Sequence, residues 1–208
     1  MRHLLGFSLA VSTLLLSGCA AMSEQACLAT DWQSAGFEDG VAGRSVGSIG
    51  RYREACADYG VAPDLAAYRS GHSEGVDVYC RPGNGFEVGR RGYQYQGVCP
   101  AGLEADFLAN YNDGRQLYDL ESSLRSVENQ IAARHRRLEQ LTQELASSSA
   151  TIIADGTTPE VRAELLLSIA AMAKEQGEIS EEIESLQAER ALREADLFAY
   201  RQTLALAF

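Results

Sequence analysis

No apolar run in this sequence is long enough to cross a bilayer. The longest, Leu4 to Leu16, has about a dozen residues, where a spanning helix needs roughly 20. Catalytic signatures are sparse too: there is no His-Glu-x-x-His and no Ser-x-x-Lys. No two cysteines have the Cys-x₂₋₄-Cys spacing of a zinc site, and the nearest histidine, His72, stands alone. Past residue 18 only His72 and His135 remain, in different regions. No catalytic residue, metal or cofactor is therefore expected. One enzymatic reading survives, a hydrolase built on carboxylates such as Asp39 with Glu74, because acids distant in sequence can meet in space. Basic residues are scarce: 18 Lys and Arg stand against 29 Asp and Glu, a net charge of −11. Such a surface repels phosphate backbones, which argues against nucleic-acid binding.

What is present begins at the N-terminus. Met1-Arg2-His3 is a short basic head, Leu4–Leu16 is an apolar h-region, and Leu16-Ser17-Gly18-Cys19 follows. That ending resembles the bacterial lipobox, in which the cysteine thiol takes a diacylglyceryl group and the peptide is cut just before it. The resemblance implies a signal peptide over 1–18 and lipidation at Cys19, with fatty acids such as palmitate as the membrane anchor. Acyl chains contribute about 0.8 kcal/mol per buried CH₂, and two or more hold stably. Ala20 follows Cys19 rather than the aspartate of an inner-membrane retention signal. The expected location is the periplasmic face of a Gram-negative outer membrane. Removing 1–18 takes away Arg2 and no acid, so the remaining chain is one unit more negative.

Cys27, Cys56, Cys80 and Cys99 remain, all before residue 116. In an oxidising compartment an even set reads as two disulfides. Three connectivities are open; Cys27–Cys56 with Cys80–Cys99 is preferred. The same region echoes itself: Trp32-x₃-Gly36-x₃-Gly40, Tyr68-x₂-Gly71-x₃-Gly75-x₃-Tyr79 and Tyr111-x₂-Gly114-x₃-Tyr118. Spacings of three and four place these residues on one helical face, where glycine lets a second backbone come close. Between Cys80 and Cys99, Pro82-Gly83-Asn84-Gly85 has turn chemistry and Tyr93-Gln94-Tyr95-Gln96 alternates like a strand. A short β-hairpin or irregular loop is expected there.

From residue 116 the grammar changes. Leu117, Leu120, Leu124, Val127, Ile131, Arg134, Leu138, Leu141 and Leu145 recur at spacings of three and four. After a break from Ala146 to Pro159, with Thr158 placed as N-cap, the seam resumes through Leu165, Ile169, Met172, Gln176, Ile179, Ile183, Leu186, Arg190, Arg193 and Leu197. This predicts a long antiparallel helical hairpin of coiled-coil character. The basic Arg134-His135-Arg136-Arg137 is expected to pair with Glu184, Glu182 or Glu178 across it. The fold class is therefore mainly α, with a small disulfide-tied helical module over 19–115 and a hairpin over 116–208.

Three stretches, "DWQSAGFEDGVAGRS" at 31–45, "REACADYGVAPDLAAYRSGHSEGVDVYC" at 53–80 and "NGFEVGRRGYQYQGVCPAGLEADFLANYNDGR" at 84–115, resemble the bacterial lipoprotein family DUF2799. Its function is unknown, so the resemblance implies the location and the cysteine-rich module and supplies no activity. The expected role is a structural or interaction protein of the cell envelope. Its partners would be the membrane, through the lipid, and an envelope protein or a second copy through the hairpin. A glycan resting on Tyr93 and Tyr95, or the carboxylate hydrolase, is the alternative.

Overall fold

Asp31 opens the first long element of the chain: its carboxylate accepts from the backbone N–H groups of Gln33 and Ser34, at 3.0 and 3.4 Å. The structure, a computed structural model, describes residues 22–207. Cys19 and the expected signal peptide lie outside them. Seven α-helices follow in order: α1 Glu24–Ala29, α2 Trp32–Val41, α3 Ile49–Cys56, α4 Leu65–Tyr79, α5 Pro82–Arg90, α6 Ala101–Ile153 and α7 Pro159–Ala207. Among the described residues there is no strand, and no helix is long and apolar enough to cross a membrane. The chain falls into two compact units, one through Tyr79 with residues 96–98, the other Cys80–Tyr95 and everything from Cys99 onward.

In the first unit, α2 and α4 pack through their glycines. A Cβ on Gly36 or Gly40 would collide with the carbonyls of Tyr68 or His72, and one on Gly71 or Gly75 with those of Gln33 or Phe37. A helical glycine costs up to about 1 kcal/mol, and here that cost is offset by a backbone approach no other residue allows. The α2 helix ends at Gly43, whose φ of +68° puts it in the left-handed region, with the Tyr79 ring lying over it.

The second unit repeats this construction. "GFEDGVAGR" at 36–44 reappears as "GFEVGRRGY" at 85–93, and "YRSGHSEGVDVY" at 68–79 as "FLANYNDGRQLY" at 107–118. The contacts repeat with the letters. Gly85 abuts the Phe107 carbonyl as Gly36 abuts that of Tyr68, and Gly89 abuts Tyr111 as Gly40 abuts His72. Gly114 meets the Phe86 carbonyl as Gly75 meets that of Phe37, and Gly92, at φ +76°, lies under Tyr118 as Gly43 lies under Tyr79. Even one polar bond is shared: His72 Nε2 donates to the Arg44 carbonyl at 2.7 Å, and the Tyr111 hydroxyl donates to the Tyr93 carbonyl at 3.0 Å. The aromatic-glycine echoes are thus two copies of one glycine-sealed helix pair.

Each pair has its own disulfide, Cys27–Cys56 in the first and Cys80–Cys99 in the second. Each bond joins the chain ahead of the pair's first helix to the chain ahead of its second. The β-hairpin alternative between Cys80 and Cys99 is not formed. Pro82 sits at the start of α5 rather than in a turn. The loop after it uses Tyr95 as a bracket: its hydroxyl accepts from the Cys99 N–H at 2.8 Å and donates to Glu104 at 3.0 Å, with the ring 5.0 Å from Phe107.

Beyond its first turns α6 becomes one arm of the hairpin. From Ala101 it runs unbroken through residue 115 to Ile153, 53 residues or about 80 Å at 1.5 Å per residue, and α7 returns over 49. Leu141, Met172, Ile179 and Ile183 form a buried cluster with Leu138, Leu145 and Ile169 against it. Ion pairs set the antiparallel register: Arg201–Glu121 at 2.7 Å, Arg134–Glu182 at 2.6 Å and Arg137–Glu175 at 2.8 Å. Of the three acids expected opposite the basic cluster, Glu182 takes Arg134, whereas Glu178 pairs with Lys174 on its own helix. The Tyr200 hydroxyl donates to the Asp113 carbonyl at 3.0 Å. The break between the arms is shorter than the serine run suggests. The helix continues to Ile153, with the Ser147 and Thr151 hydroxyls turned back to the carbonyls of Glu144 and Ser147.

Candidate functional site

The two helix pairs share a backbone and differ at its centre. In the first pair α2 presents Asp39 inward, and the α2–α4 glycine contact brings Tyr68 opposite it. The turn after α2 supplies Arg44, and α3 supplies Arg51. Asp39 and Tyr68 are both 0% exposed. One carboxylate oxygen of Asp39 accepts from Arg44 at 2.6 Å and from Arg51 at 3.3 Å; the other accepts from the Tyr68 hydroxyl at 2.7 Å and from Arg51 at 3.3 Å. Tyr52 stands edge-on between Trp32 and Tyr68, with centroids 5.7 and 6.1 Å apart. His72 stacks on Tyr68 at 6.0 Å while holding the Arg44 carbonyl, which fixes the turn that carries the arginine.

Charge follows this geometry. Burial alone would raise the Asp39 pKa, but the Tyr68 and Arg44 hydrogen bonds and the two guanidinium charges outweigh it and hold the pKa below the ordinary carboxylate range. Tyr68 moves the other way: burial and the adjacent carboxylate push its phenol far upward, so it stays a neutral donor. Burial and the Asp39 charge also raise Tyr52. Arg44 is raised by its hydrogen bond to Asp39. Asp39 is thus an ionised acceptor at neutral pH. It anchors two guanidiniums that are half exposed, at 50% and 58%, and keep N–H groups these bonds do not use. Such edges can receive a carboxylate or a phosphate.

The second pair shows that the fold does not require this cluster. The position of Asp39 is taken by Val88, that of Tyr68 by Phe107, that of Arg44 by Tyr93 and that of His72 by Tyr111. Four of the five glycine contacts, the covering tyrosine and the disulfide are kept, and Gly71 alone is replaced, by Asn110. The polar set is therefore an addition to a scaffold that stands without it, and that marks it as the candidate site. Aligning the two "GFE" stretches exposes the difference directly in the sequence. Read singly, Asp39 shows only as one acid among many.

Asp39 and Glu74 do not act as a pair. Asp39 is enclosed by its arginines, while Glu74 accepts from Gln33 Nε2 at 3.2 Å on an open groove of about 410 Å³ with Asp31, Ser34, Phe37 and Glu38. Of the two tyrosines suggested for a glycan, Tyr93 is 62% exposed and Tyr95 is half-buried against Phe107. Among the described residues no three His, Cys, Asp or Glu gather as a metal site. Cys27, Cys56, Cys80 and Cys99 are all disulfide-bonded.

The first helix pair and the glycine–carbonyl contacts of the second lie within one stretch that matches a known family. Residues 31–116 match DUF2799, described as a protein of unknown function. The DUF2799-like segment begins at the cap of α2 and ends just past Gly114, so it coincides with the duplicated glycine construction. Most of the α6–α7 hairpin lies outside it. No curated protein and no solved structure matches the chain.

Proposed function

We propose that this chain is an envelope interaction protein, held to the periplasmic face of the outer membrane by lipid on Cys19 and presenting its helical hairpin to a partner. The observation that carries the reading is on α7. Its inward seam is filled by α6, yet Leu166, Leu167, Leu192 and Phe198 stand outward, more than half exposed. Apolar side chains of this size, repeated along a helix that already has a packed face, suit recognition by another protein. Each helix pair is tied by its own disulfide, and the half-exposed Arg44 and Arg51 of the first offer an anion-accepting edge.

Two measurements test this. Metabolic fatty-acid labelling should mark the wild type and not Cys19→Ser; label on the variant, or an unlabelled wild type in the soluble periplasmic fraction, overturns the anchor. Crosslinking at the membrane surface followed by capture through α7 should recover a protein in fixed stoichiometry, this chain's own copies included. Recovery of cell-wall fragments instead would transfer the role to a glycan.

A further inference from the structure

Seven glycines inside the described helices, at 36, 40, 71, 75, 85, 89 and 114, sit where a Cβ would strike a neighbouring helix. Gly177 does not. It lies deep within α7, far from either end, and a Cβ there would meet nothing within 4 Å. Gly50, Gly83 and Gly102 also face open space, but each is the second residue of its helix, where glycine disturbs little.

Around Gly177 α7 carries a second heptad face opposite the one α6 covers: Ala163, Leu167, Ala170, Lys174, Gly177, Glu181, Glu184, Ala188, Ala191 and Ala195. All ten are exposed. Spacings alternate four and three throughout the run, which keeps these residues in one line along the helix. Leu166 and Leu192, 58% and 68% exposed, flank it.

We infer that this face binds the same face of a second copy, antiparallel, about an axis at residue 179. In that register Lys174 of each chain meets Glu184 of the other, twice by symmetry. Ala170 meets Ala188, Ala163 meets Ala195, Leu167 meets Ala191, and Gly177 receives the stem of Glu181. Sliding by one heptad layer one way sets Glu181 against Glu184 on both sides; sliding the other way sets Leu167 against Glu184. Charge therefore selects one register of the three. The contact would run over residues 163–195, about 48 Å of helix. This deepens the proposed interaction role by naming a second copy as the hairpin's partner, and rests on it.

The test is sedimentation of the full lipid-free chain at micromolar to 100 micromolar concentration, with single charge reversals. Wild type should be a concentration-dependent dimer. Lys174→Glu and Glu184→Lys should each weaken it about tenfold or more, since two attractive contacts become repulsive. Mixing the two variants should restore wild-type affinity, because each chain then supplies the charge its partner lacks. Circular dichroism should be unchanged, both residues being exposed. A wild type that stays monomeric overturns the dimer and leaves the interaction role to the crosslinking experiment. Single reversals that dimerise like wild type, or a mixture no tighter than its components, overturn the register.

Discussion

Replacing Asp39 by valine, as the second helix pair does at position 88, should be far more costly alone than with Tyr68→Phe. Asp39→Val removes the acceptor of the Tyr68 hydroxyl, which is fully buried and has no water to turn to. An orphaned buried hydroxyl costs about 1–3 kcal/mol. Two guanidiniums also lose their counter-charge, but they are half exposed and rehydrate, so their part is small. A total of about 3 kcal/mol follows. Tyr68→Phe alone leaves Asp39 with both arginines and should cost about 1 kcal/mol. The double variant has neither orphan and reproduces the Val88–Phe107 core, so about 1–2 kcal/mol is expected against an additive 4. The coupling of about 2–3 kcal/mol is measurable by urea unfolding of the four proteins in a double-mutant cycle. Strict additivity, or a double variant worse than the sum, would refute the claim that the two pairs are equivalent scaffolds.

Acid should act through the same group. The native pKa of Asp39 is depressed, so its contribution is complete above the unfolded value of about 3.9 and is lost as pH falls through the lower native value. Asp39→Val should therefore lose less stability than wild type between pH 5 and pH 2, which acid titrations followed by circular dichroism would show. Gly114→Ala drives a Cβ into the Phe86 carbonyl and should destabilise by several kcal/mol, whereas Gly177→Ala meets nothing and should leave the chain's fold as stable or up to about 1 kcal/mol more so. Differential calorimetry separates these two. Leu141→Ala empties a fully buried seam position and should cost about 3 kcal/mol, more than Ile131→Ala, whose side chain is only half-buried. Reduction of either disulfide should lower stability by roughly 3 kcal/mol in the chain-entropy account, read as a drop in the thermal midpoint.

The hairpin was legible because its signal is local: leucines and isoleucines at three-four spacing, Thr158 before Pro159, and few competing residues. Its finer partition was less so. Ile131 reads as a seam residue equal to Leu141, yet one is half-buried and the other sealed, because register against α7 decides burial and register depends on distant ion pairs. The aromatic-glycine spacing announced close helices without saying which helix met which; that is set by reciprocal carbonyl contacts between residues 22 to 38 positions apart. Tyr93-Gln94-Tyr95-Gln96 alternates like a strand, but among the described residues no second strand exists to pair it, and Tyr95 is better used bracketing Cys99. The Asp39 cluster was hidden for another reason. A buried acid has no local signature, and only its arginines and tyrosine, gathered from three elements, make it unusual.

The order of the disulfides bears on how this chain is made. Cys27 bonds Cys56 and Cys80 bonds Cys99, so each cysteine's partner is the next one along. A chain emerging from its N-terminus exposes Cys27 and Cys56 while Cys80 is still to come. With Cys19 taken by lipid as proposed, the earliest oxidation then has a single possible product, and it is the native one. By the time Cys80 and Cys99 arrive, the first two thiols are already consumed. Scrambled isomers arise only if oxidation waits until all four are present together. A chain oxidised as it is translocated has no need of disulfide shuffling to mature, whereas the same chain reduced and reoxidised whole must choose among three pairings.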